Sequence, residues 1–238
     1  MLKGSGFKPS LLNELAKKNI LFQFQKEISR IEEQQNGQVN INLLNRHQEK
    51  ALKEINNSFD EKQVTLIHGI TASGKTEIYI HLIDEVLKNG GQALYLVPEI
   101  ALTTQIVQRL KNSFGQKVGI YHSRLNNQER VEIWGKVLQF KSDPDNGYQV
   151  VLGARSSIFL PFSKLRLIIV DEEHENSFKQ FDPAPRYHAR DMAVVLGLQN
   201  EAKVLLGSAT PSYESYNNAK TGKYGYVGLF KRHSEMEL

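Results

Sequence analysis

The sequence contains no cysteine among its 238 residues. Disulfide bonds, cysteine-ligated zinc and a thiol nucleophile are therefore excluded for this chain. The sequence also lacks any run of about 18 consecutive apolar residues, the length that a membrane-spanning helix needs. Its first ten residues, MLKGSGFKPS, lack the apolar centre of a secretory signal. These absences predict a cytoplasmic chain without a membrane partner.

Neither sign of charge is in strong excess. Lys and Arg together number 30, against 26 for Asp and Glu. Because this excess is small and dispersed, charge alone does not indicate a nucleic-acid partner. The apolar fraction of 40% is that of a globular protein, and a chain of this length can bury a substantial core.

The pattern of apolar residues divides the chain near residue 40. Residues 1–40 contain a helical pattern, LLNELAKKNI, then a strand-like pattern and the polar run EEQQNGQ. Such a segment is too short to form its own core. From residue 41 to 238, short apolar strands alternate with helical segments. This alternation predicts an α/β fold with a parallel sheet and helices on both faces, whose ligands lie beyond the carboxyl ends of the strands.

The strongest motif lies between the predicted strand VTLIH and a helix. It matches G-x-x-x-x-G-K-[ST], the phosphate-binding P-loop, and a chance glycine-rich turn is the weaker alternative. Backbone N–H groups of such a loop surround phosphate oxygens. A lysine there adds positive charge at the β and γ phosphates, and a Thr hydroxyl binds Mg²⁺. The predicted nucleotide-binding residues are Gly69, Ile70, Thr71, Ala72, Ser73, Gly74, Lys75 and Thr76.

A second motif is an apolar strand that ends in Asp171 and Glu172. Adjacent carboxylates at the end of a buried strand are costly unless a cation is present. We expect Asp171 to hold Mg²⁺ with Thr76, and Glu172 to orient and deprotonate a water molecule. The catalytic candidates are therefore Lys75, Asp171 and Glu172, and the reaction they favour is hydrolysis. A solvated acidic turn is the alternative interpretation.

A third motif, GSATPS, follows the next strand along the chain. The hydroxyls of Ser208 and Thr210 can hydrogen-bond the neighbouring acidic strand end and so couple nucleotide state to another surface. Helix capping by these hydroxyls is the alternative.

These motifs occur in one order with LVPEIALT, HSRLNNQER, LGARSSIFLPF, VDEEHENSFKQ and RYHARD. The combination resembles the superfamily two helicases, and within them the replication-restart DNA helicases. The resemblance implies a RecA-like P-loop NTPase lobe that uses ATP and Mg²⁺ and belongs to a 3′-5′ DNA helicase. It also implies single-stranded and forked DNA, primosome proteins and single-strand-binding proteins as partners. By the same resemblance, Gln48 would recognise adenine, whereas an exposed helix glutamine is the alternative.

Three loops are candidate DNA contacts. The loop from Pro98 to Thr103 would open a helix whose N–H groups bind a backbone phosphate. Arg155 and Ser156 would bind phosphates without sequence preference. The third loop interleaves aromatic residues and cations, as base stacking requires, although core packing of the aromatics is an alternative. Its candidates are Phe178, Lys179, Arg186, Tyr187, His188 and Arg190.

The resemblance also indicates what this chain does not contain. The second motor lobe with its arginine finger, the zinc-binding cysteines and the N-terminal DNA-binding domain of the family have no counterpart here. Residues 1–40 would be a winged-helix remnant and linker, and residues 41–238 the first motor lobe. We expect such a fragment to hydrolyse ATP weakly, since an arginine finger contributes roughly 10³ or more to turnover. Another superfamily two DNA translocase, or a nucleotide-regulated DNA-binding module without motor activity, remains an alternative.

Overall fold

The computed structural model describes residues 41–231 together with residues 14, 15, 17 and 18. The chain divides into two units, Met1–Glu32 and Glu33–Leu238. In the first unit, the backbone N–H of Lys18 donates to the carbonyl of Glu14 at 3.0 Å, as in a helical turn. The strand and the winged-helix remnant predicted within residues 1–40 lie outside the described residues.

A seven-stranded parallel sheet forms the centre of the second unit, in the order β3-β4-β2-β5-β8-β1-β9. Most strands are buried along their length, because continuous apolar runs suit a sheet that is covered on both faces. The predicted α/β fold is therefore confirmed. The strands are β1 (Val64–Gly69), β2 (Gln92–Leu96), β3 (Val118–Tyr121), β4 (Val150–Gly153), β5 (Leu165–Asp171), β8 (Lys203–Ser208) and β9 (Gly225–Leu229).

Two further short strands pair outside this sheet. β6 (Lys179–Gln180) and β7 (Tyr187–His188) are antiparallel and form the stem of a hairpin, which we call the aromatic hairpin. The sequence patterns predicted neither this hairpin nor β9. Strands of two residues are too short to show an alternating pattern, and β9 contains two glycines among its five residues.

Helices cover both faces of the sheet. They are α1 (Arg46–Glu61), α2 (Lys75–Lys88), α3 (Thr104–Phe114), α4 (Asn127–Gln139), α5 (Ala189–Asn200) and α6 (Tyr213–Lys220). Ile67, Ile169 and Leu205 pack in one buried cluster with residues of α1, α2 and α3. Val204 faces the opposite side, where Gly197 of α5 lies against it. None of the helices in the described part of the chain is both long and apolar enough to cross a membrane.

The strand order brings the three sequence motifs together. β8 lies between β5 and β1, so that Asp171 pairs with Gly207 and His68 pairs with Ser208. Because all three strands are parallel, the P-loop after β1 and the acidic end of β5 meet at the same edge as Ser208. This edge is the candidate site.

Candidate functional site

The P-loop has the backbone geometry of a phosphate cradle. Ala72 and Gly74 adopt left-handed conformations, with φ of 59° and 82°. The ammonium of Lys75 donates to the carbonyl of Gly69 at 2.8 Å, which places it inside the loop. The buried hydroxyl of Ser73 has no hydrogen-bond partner among the described residues. An unpartnered hydroxyl, an ammonium and the N–H groups at the start of α2 are the donors that a phosphate group needs, so these residues fit one.

Asp171 is held between two buried tyrosines. The hydroxyl of Tyr79 donates to Oδ1 and that of Tyr95 to Oδ2, each at 3.1 Å. Burial and the charge of Glu172 raise the pKa of Asp171, whereas Lys75 and the tyrosine hydroxyls oppose this rise. The Tyr95 hydroxyl also interacts with the Thr76 side chain, so the two predicted Mg²⁺ ligands lie around one hydroxyl. A divalent cation there would offset the cost of burying Asp171.

Asp171 and Thr76 supply only oxygen ligands and only two of them. No group of three or more His, Cys, Asp or Glu side chains in the described ranges could hold a metal ion. Mg²⁺ in phosphate-processing sites uses one or two protein ligands and takes the others from phosphates and water. The pair therefore fits Mg²⁺ that arrives with a nucleotide.

Glu172 lies in a left-handed conformation with φ of 48°. For a residue with a side chain, such a backbone costs on the order of 1 kcal/mol and persists only where the surroundings enforce it. Its backbone N–H donates to Asp171 Oδ1 at 3.2 Å. Its carboxylate is partly exposed and lies 3.7 Å from Nδ1 of His174. The side chain can therefore accept a proton from a water molecule at the sheet edge.

Ser208 and Thr210 contact His174, whereas the sequence predicted hydrogen bonds to the acidic strand end itself. Ser208 Oγ lies 2.8 Å from Nδ1 of His174, and Thr210 Oγ1 lies 3.3 Å from Nε2 of the same ring. His174 follows the acidic pair directly, so the hydroxyls reach the acidic strand end through it. His174 belongs to the VDEEHENSFKQ motif, but no role was predicted for it, although its place in the DEEH run was a signal.

Gln48 is completely buried, which contradicts the alternative that it is an exposed helix glutamine. Its Nε2 donates to the carbonyl of Gly74 at 3.3 Å, and its Oε1 accepts from the N–H of Asn45 at 2.9 Å. Adenine recognition does not follow from this arrangement, because the amide contacts protein and no part of the side chain faces solvent. Gln48 instead connects the start of α1 to the P-loop.

The loop between Pro98 and Thr103 differs from its prediction. Pro98 is buried, and a 3₁₀ turn at Glu99–Ala101 replaces the expected start of the helix. α3 begins at Thr104, and its N-cap Thr103 is exposed without a side-chain capping bond. Pro98 is therefore corrected to a buried residue, and the N–H groups that suit a phosphate belong to the first turn of α3.

Arg155 and Ser156 follow β4 and are both partly exposed. The guanidinium of Arg155 donates to the carbonyls of Ser177 and Lys179, at 3.2 and 3.4 Å. These bonds use one of its nitrogens, so the others stay available for phosphate. Arg155 thereby joins the β4 loop to the aromatic hairpin.

Part of the aromatic hairpin is exposed, as a DNA-binding surface requires. Lys179 Nζ lies 4.6 Å from the ring centre of Phe181, which is 61% exposed, and Arg186 is exposed at the end of the loop. Tyr187 packs edge-on against Phe159 at 4.9 Å. Phe181 lies within the predicted DNA-binding segment but was not singled out there, and Phe159 was not predicted, because sequence alone does not separate exposed from buried aromatics.

Two predicted DNA contacts of this segment are corrected. Phe178 is only 1% exposed, so core packing is the right interpretation and its ring offers no face to a base. The Arg190 side chain is 12% exposed and pairs with buried Glu173 at 3.2 Å. His188 is partly buried, and burial together with the charge of Arg190 lowers its pKa. Of the three cations predicted to bind DNA in this segment, Lys179 and Arg186 are exposed.

A sequence model of the DEAD/DEAH box helicases matches residues 45–219. The chain is 48% identical over 169 residues to the replication restart protein PriA of Haemophilus influenzae, which covers 71% of this chain and 22% of that protein. It is 46% identical over 173 residues to PriA of Bacillus subtilis, with coverages of 73% and 21%. PriA of Rickettsia conorii is 39% identical over 235 residues, with coverages of 98% and 35%. The chain thus spans between a fifth and about a third of the length of these relatives.

Solved structures show the same fold at low sequence identity. RecG bound to a three-way DNA junction has a TM-score of 0.57 at 21% identity, covering 97% of this chain and 27% of that one. A DEAD box protein from Methanococcus jannaschii has a TM-score of 0.51 at 20% identity, with coverages of 77% and 49%.

Proposed function

The chain belongs to the DEAD/DEAH box helicase family, and on this premise we propose that it is the ATP-binding motor lobe of a DNA-dependent ATPase. The whole protein would be a 3′-5′ DNA helicase that acts in replication restart. One observation carries the proposal: the Asp171 and Glu172 carboxylates lie at the end of β5, beside the P-loop. Through His174 they reach the GSATPS loop, residues 207–212, which we call the Ser208 loop.

The proposed mechanism assigns a task to each group at the sheet edge. Lys75 and the Ser73 hydroxyl would bind the terminal phosphates, while Thr76 and Asp171 would hold Mg²⁺. Bound Mg²⁺ would neutralise phosphate charge and offset the charge of Asp171. Glu172 would take the proton from the attacking water. His174 contacts Glu172, Ser208 and Thr210, and would couple a change at Glu172 to the two hydroxyls.

DNA is the proposed partner because of the surfaces beside this site. The first turn of α3, Arg155 and the aromatic hairpin supply N–H donors, cations and exposed rings, which suit a single strand bound without sequence preference. Structural neighbours such as RecG and the helicase MrfA were solved with DNA bound. Forked DNA, primosome proteins and single-strand-binding proteins are proposed as further partners from the family resemblance.

The named relatives favour this function over the alternatives. The three relatives described above all carry the replication-restart name, which favours a restart helicase over another superfamily two translocase. The Glu172 carboxylate lies next to Asp171 at the end of β5, where it can activate water. This position favours a hydrolase over a binding module without motor activity.

The proposal is tested by ATP turnover of the full-length protein with and without single-stranded or forked DNA. We expect DNA to stimulate turnover. Lys75→Ala should abolish nucleotide binding and turnover, whereas Glu172→Gln should keep binding and lose turnover by at least about 100-fold. Lys88→Ala, at the exposed opposite end of α2, is the matched control and should turn over ATP normally. Equal turnover with and without DNA would contradict a DNA motor.

A further inference from the structure

Glu173 lies beside Glu172 but has no role in the mechanism described above. Its side chain is completely buried, and its carboxylate accepts four hydrogen bonds. The donors are the Ser212 N–H at 2.7 Å, the Ser212 hydroxyl at 3.0 Å, the Ser215 hydroxyl at 2.8 Å and Arg190 at 3.2 Å. A buried carboxylate with this many partners is fixed in position.

Arg190 connects Glu173 to the aromatic hairpin. It stands in the first turn of α5, two residues after the β7 strand ends the hairpin stem. The same guanidinium nitrogen that contacts Glu173 also donates to the Ser212 hydroxyl at 2.7 Å. Ser212 caps α6 and lies two residues beyond Thr210. One partly buried cluster, the completely buried Glu173 with Arg190 and Ser212, therefore joins the acidic strand end, the hairpin and the Ser208 loop.

The ion pair joins the hairpin stem to the acidic strand end. Removing Glu173 would leave Arg190 with the exposed carboxylates of Asp191 and Glu214. Removing Arg190 would leave the completely buried Glu173 charge with neutral donors but no cation, which is the more costly change. Glu173 also donates its backbone N–H to the carbonyl of Gly207 at 3.0 Å. Because Arg190 donates to both Glu173 and Ser212, a displacement of the hairpin stem that moves Arg190 changes the hydrogen bonds that hold Glu173 in position.

Glu172 is the residue most sensitive to such a displacement. Its left-handed backbone is held between Asp171, which two tyrosines fix, and Glu173, which the buried cluster fixes. A residue held in a costly conformation changes orientation when one of its anchors shifts.

We propose that Glu173 and Arg190 are positioning residues that transmit occupancy of the aromatic hairpin to the orientation of Glu172. In the proposed mechanism neither residue binds the nucleotide or the DNA. The inference rests on the proposed function, since it takes single-stranded DNA as the ligand of the hairpin. DNA bound to the exposed Phe181 and Arg186 would shift the hairpin stem. Arg190 would transmit that shift to Glu173 at the acidic strand end.

The test measures ATP turnover of the full-length protein at zero and at saturating oligothymidine, and oligothymidine affinity by fluorescence anisotropy. The variants are Glu173→Gln, Arg190→Gln and the two combined. Asp191→Asn is the matched control, because it removes the nearer of two exposed acidic partners of Arg190 and leaves the Glu173 contact intact. The double variant has no lone buried charge, so it keeps the test valid if a single variant fails to fold.

We expect the ratio of DNA-stimulated to DNA-free turnover to fall about tenfold in the folded variants, while oligothymidine affinity changes less than about threefold. The double variant should be no worse than either single variant, since both remove the same link. A ratio equal to that of Asp191→Asn would overturn the inference, and so would a loss that higher DNA concentrations restore, because the residues would then only shape the DNA surface. Wild-type protein that DNA does not stimulate would overturn the proposed function and this inference with it.

Discussion

At the residue scale, the geometry of Asp171 depends on two hydroxyls and one glycine. Tyr79 and Tyr95 donate to separate oxygens of the carboxylate, and their rings meet edge to face at 5.6 Å. Tyr79 reaches Asp171 by crossing over Gly207, where a Cβ would overlap the tyrosine hydroxyl. The glycine of the GSATPS motif is therefore required by a tyrosine on a different element.

The Gly207→Ala variant tests this packing. The added methyl group would displace the Tyr79 hydroxyl from Asp171, and such overpacking costs about 2 kcal/mol of unfolding free energy. Combining it with Tyr79→Phe should cost less than the sum of the single changes, because the clashing oxygen is gone. Urea denaturation measures each value.

Gly135 of α4 provides the control for a glycine in open space. A Cβ there would meet nothing within 4 Å. We expect Gly135→Ala to stabilise the protein by about 0.5–1 kcal/mol, since alanine is the better helix former. If Gly207→Ala were equally harmless, the crowding at Asp171 would not matter for stability.

At the scale of single elements, α1 supports the P-loop from outside the sheet. Asn45 caps the helix in a capping box with Gln48, and the same Gln48 side chain reaches the carbonyl of Gly74. The start of the helix and the end of the P-loop are thus joined by one amide. Loss of the cap would loosen both.

Two capping asparagines allow a matched comparison. Asn126 caps α4 in the same way as Asn45 caps α1, without a contact to the P-loop. Asn45→Ala and Asn126→Ala should each cost about 1 kcal/mol of stability. Only Asn45→Ala should also weaken ATP binding, as measured by calorimetry. Equal ATP affinities in the two variants would show that the side-chain cap of α1 does not support the P-loop.

His188 in the aromatic hairpin has a shifted pKa, and the direction of this shift can be tested. Burial, followed by the charge of Arg190, lowers the pKa of His188 below its ordinary value of 6.5, while Asp191 and Glu173 oppose this and Lys179 adds to it. The unfolded chain therefore binds the proton more readily than the folded one. The unfolding free energy should fall as pH decreases from 6.5 towards the lowered pKa, and below that value the loss is complete.

Comparing melting temperatures of wild-type protein and His188→Gln over this range isolates the contribution of His188. The variant should lose less stability on acidification, because glutamine does not titrate. Parallel curves for the two proteins would show that His188 does not contribute.

At the scale of the whole molecule, the site is a meeting of distant segments. The P-loop, the acidic pair and the Ser208 loop follow three adjacent parallel strands, so the sheet order alone assembles them. The chain nevertheless spans only part of its longer relatives. By the family resemblance, an arginine finger on a second motor lobe would complete the site, and we propose that the described site supplies the other half.

This expectation predicts the behaviour of the chain by itself. It should bind ATP weakly and only with Mg²⁺ in calorimetry, and it should turn ATP over more slowly than the two-lobe protein by roughly 10³ or more. Robust unwinding of forked DNA by the chain alone would contradict the need for a second lobe.

The sequence by itself determined the α/β class, six of the seven strands of the sheet and the position of the P-loop. Each of these depends on local patterns: apolar runs, alternation of strand and helix, and glycines at fixed spacing. Only the tertiary structure decided which side chains meet. The roles of Tyr79, Tyr95 and Glu173, and the burial of Arg190 and Phe178, depend on contacts between segments far apart in the chain. Such contacts leave no local pattern, because strand order and register create them.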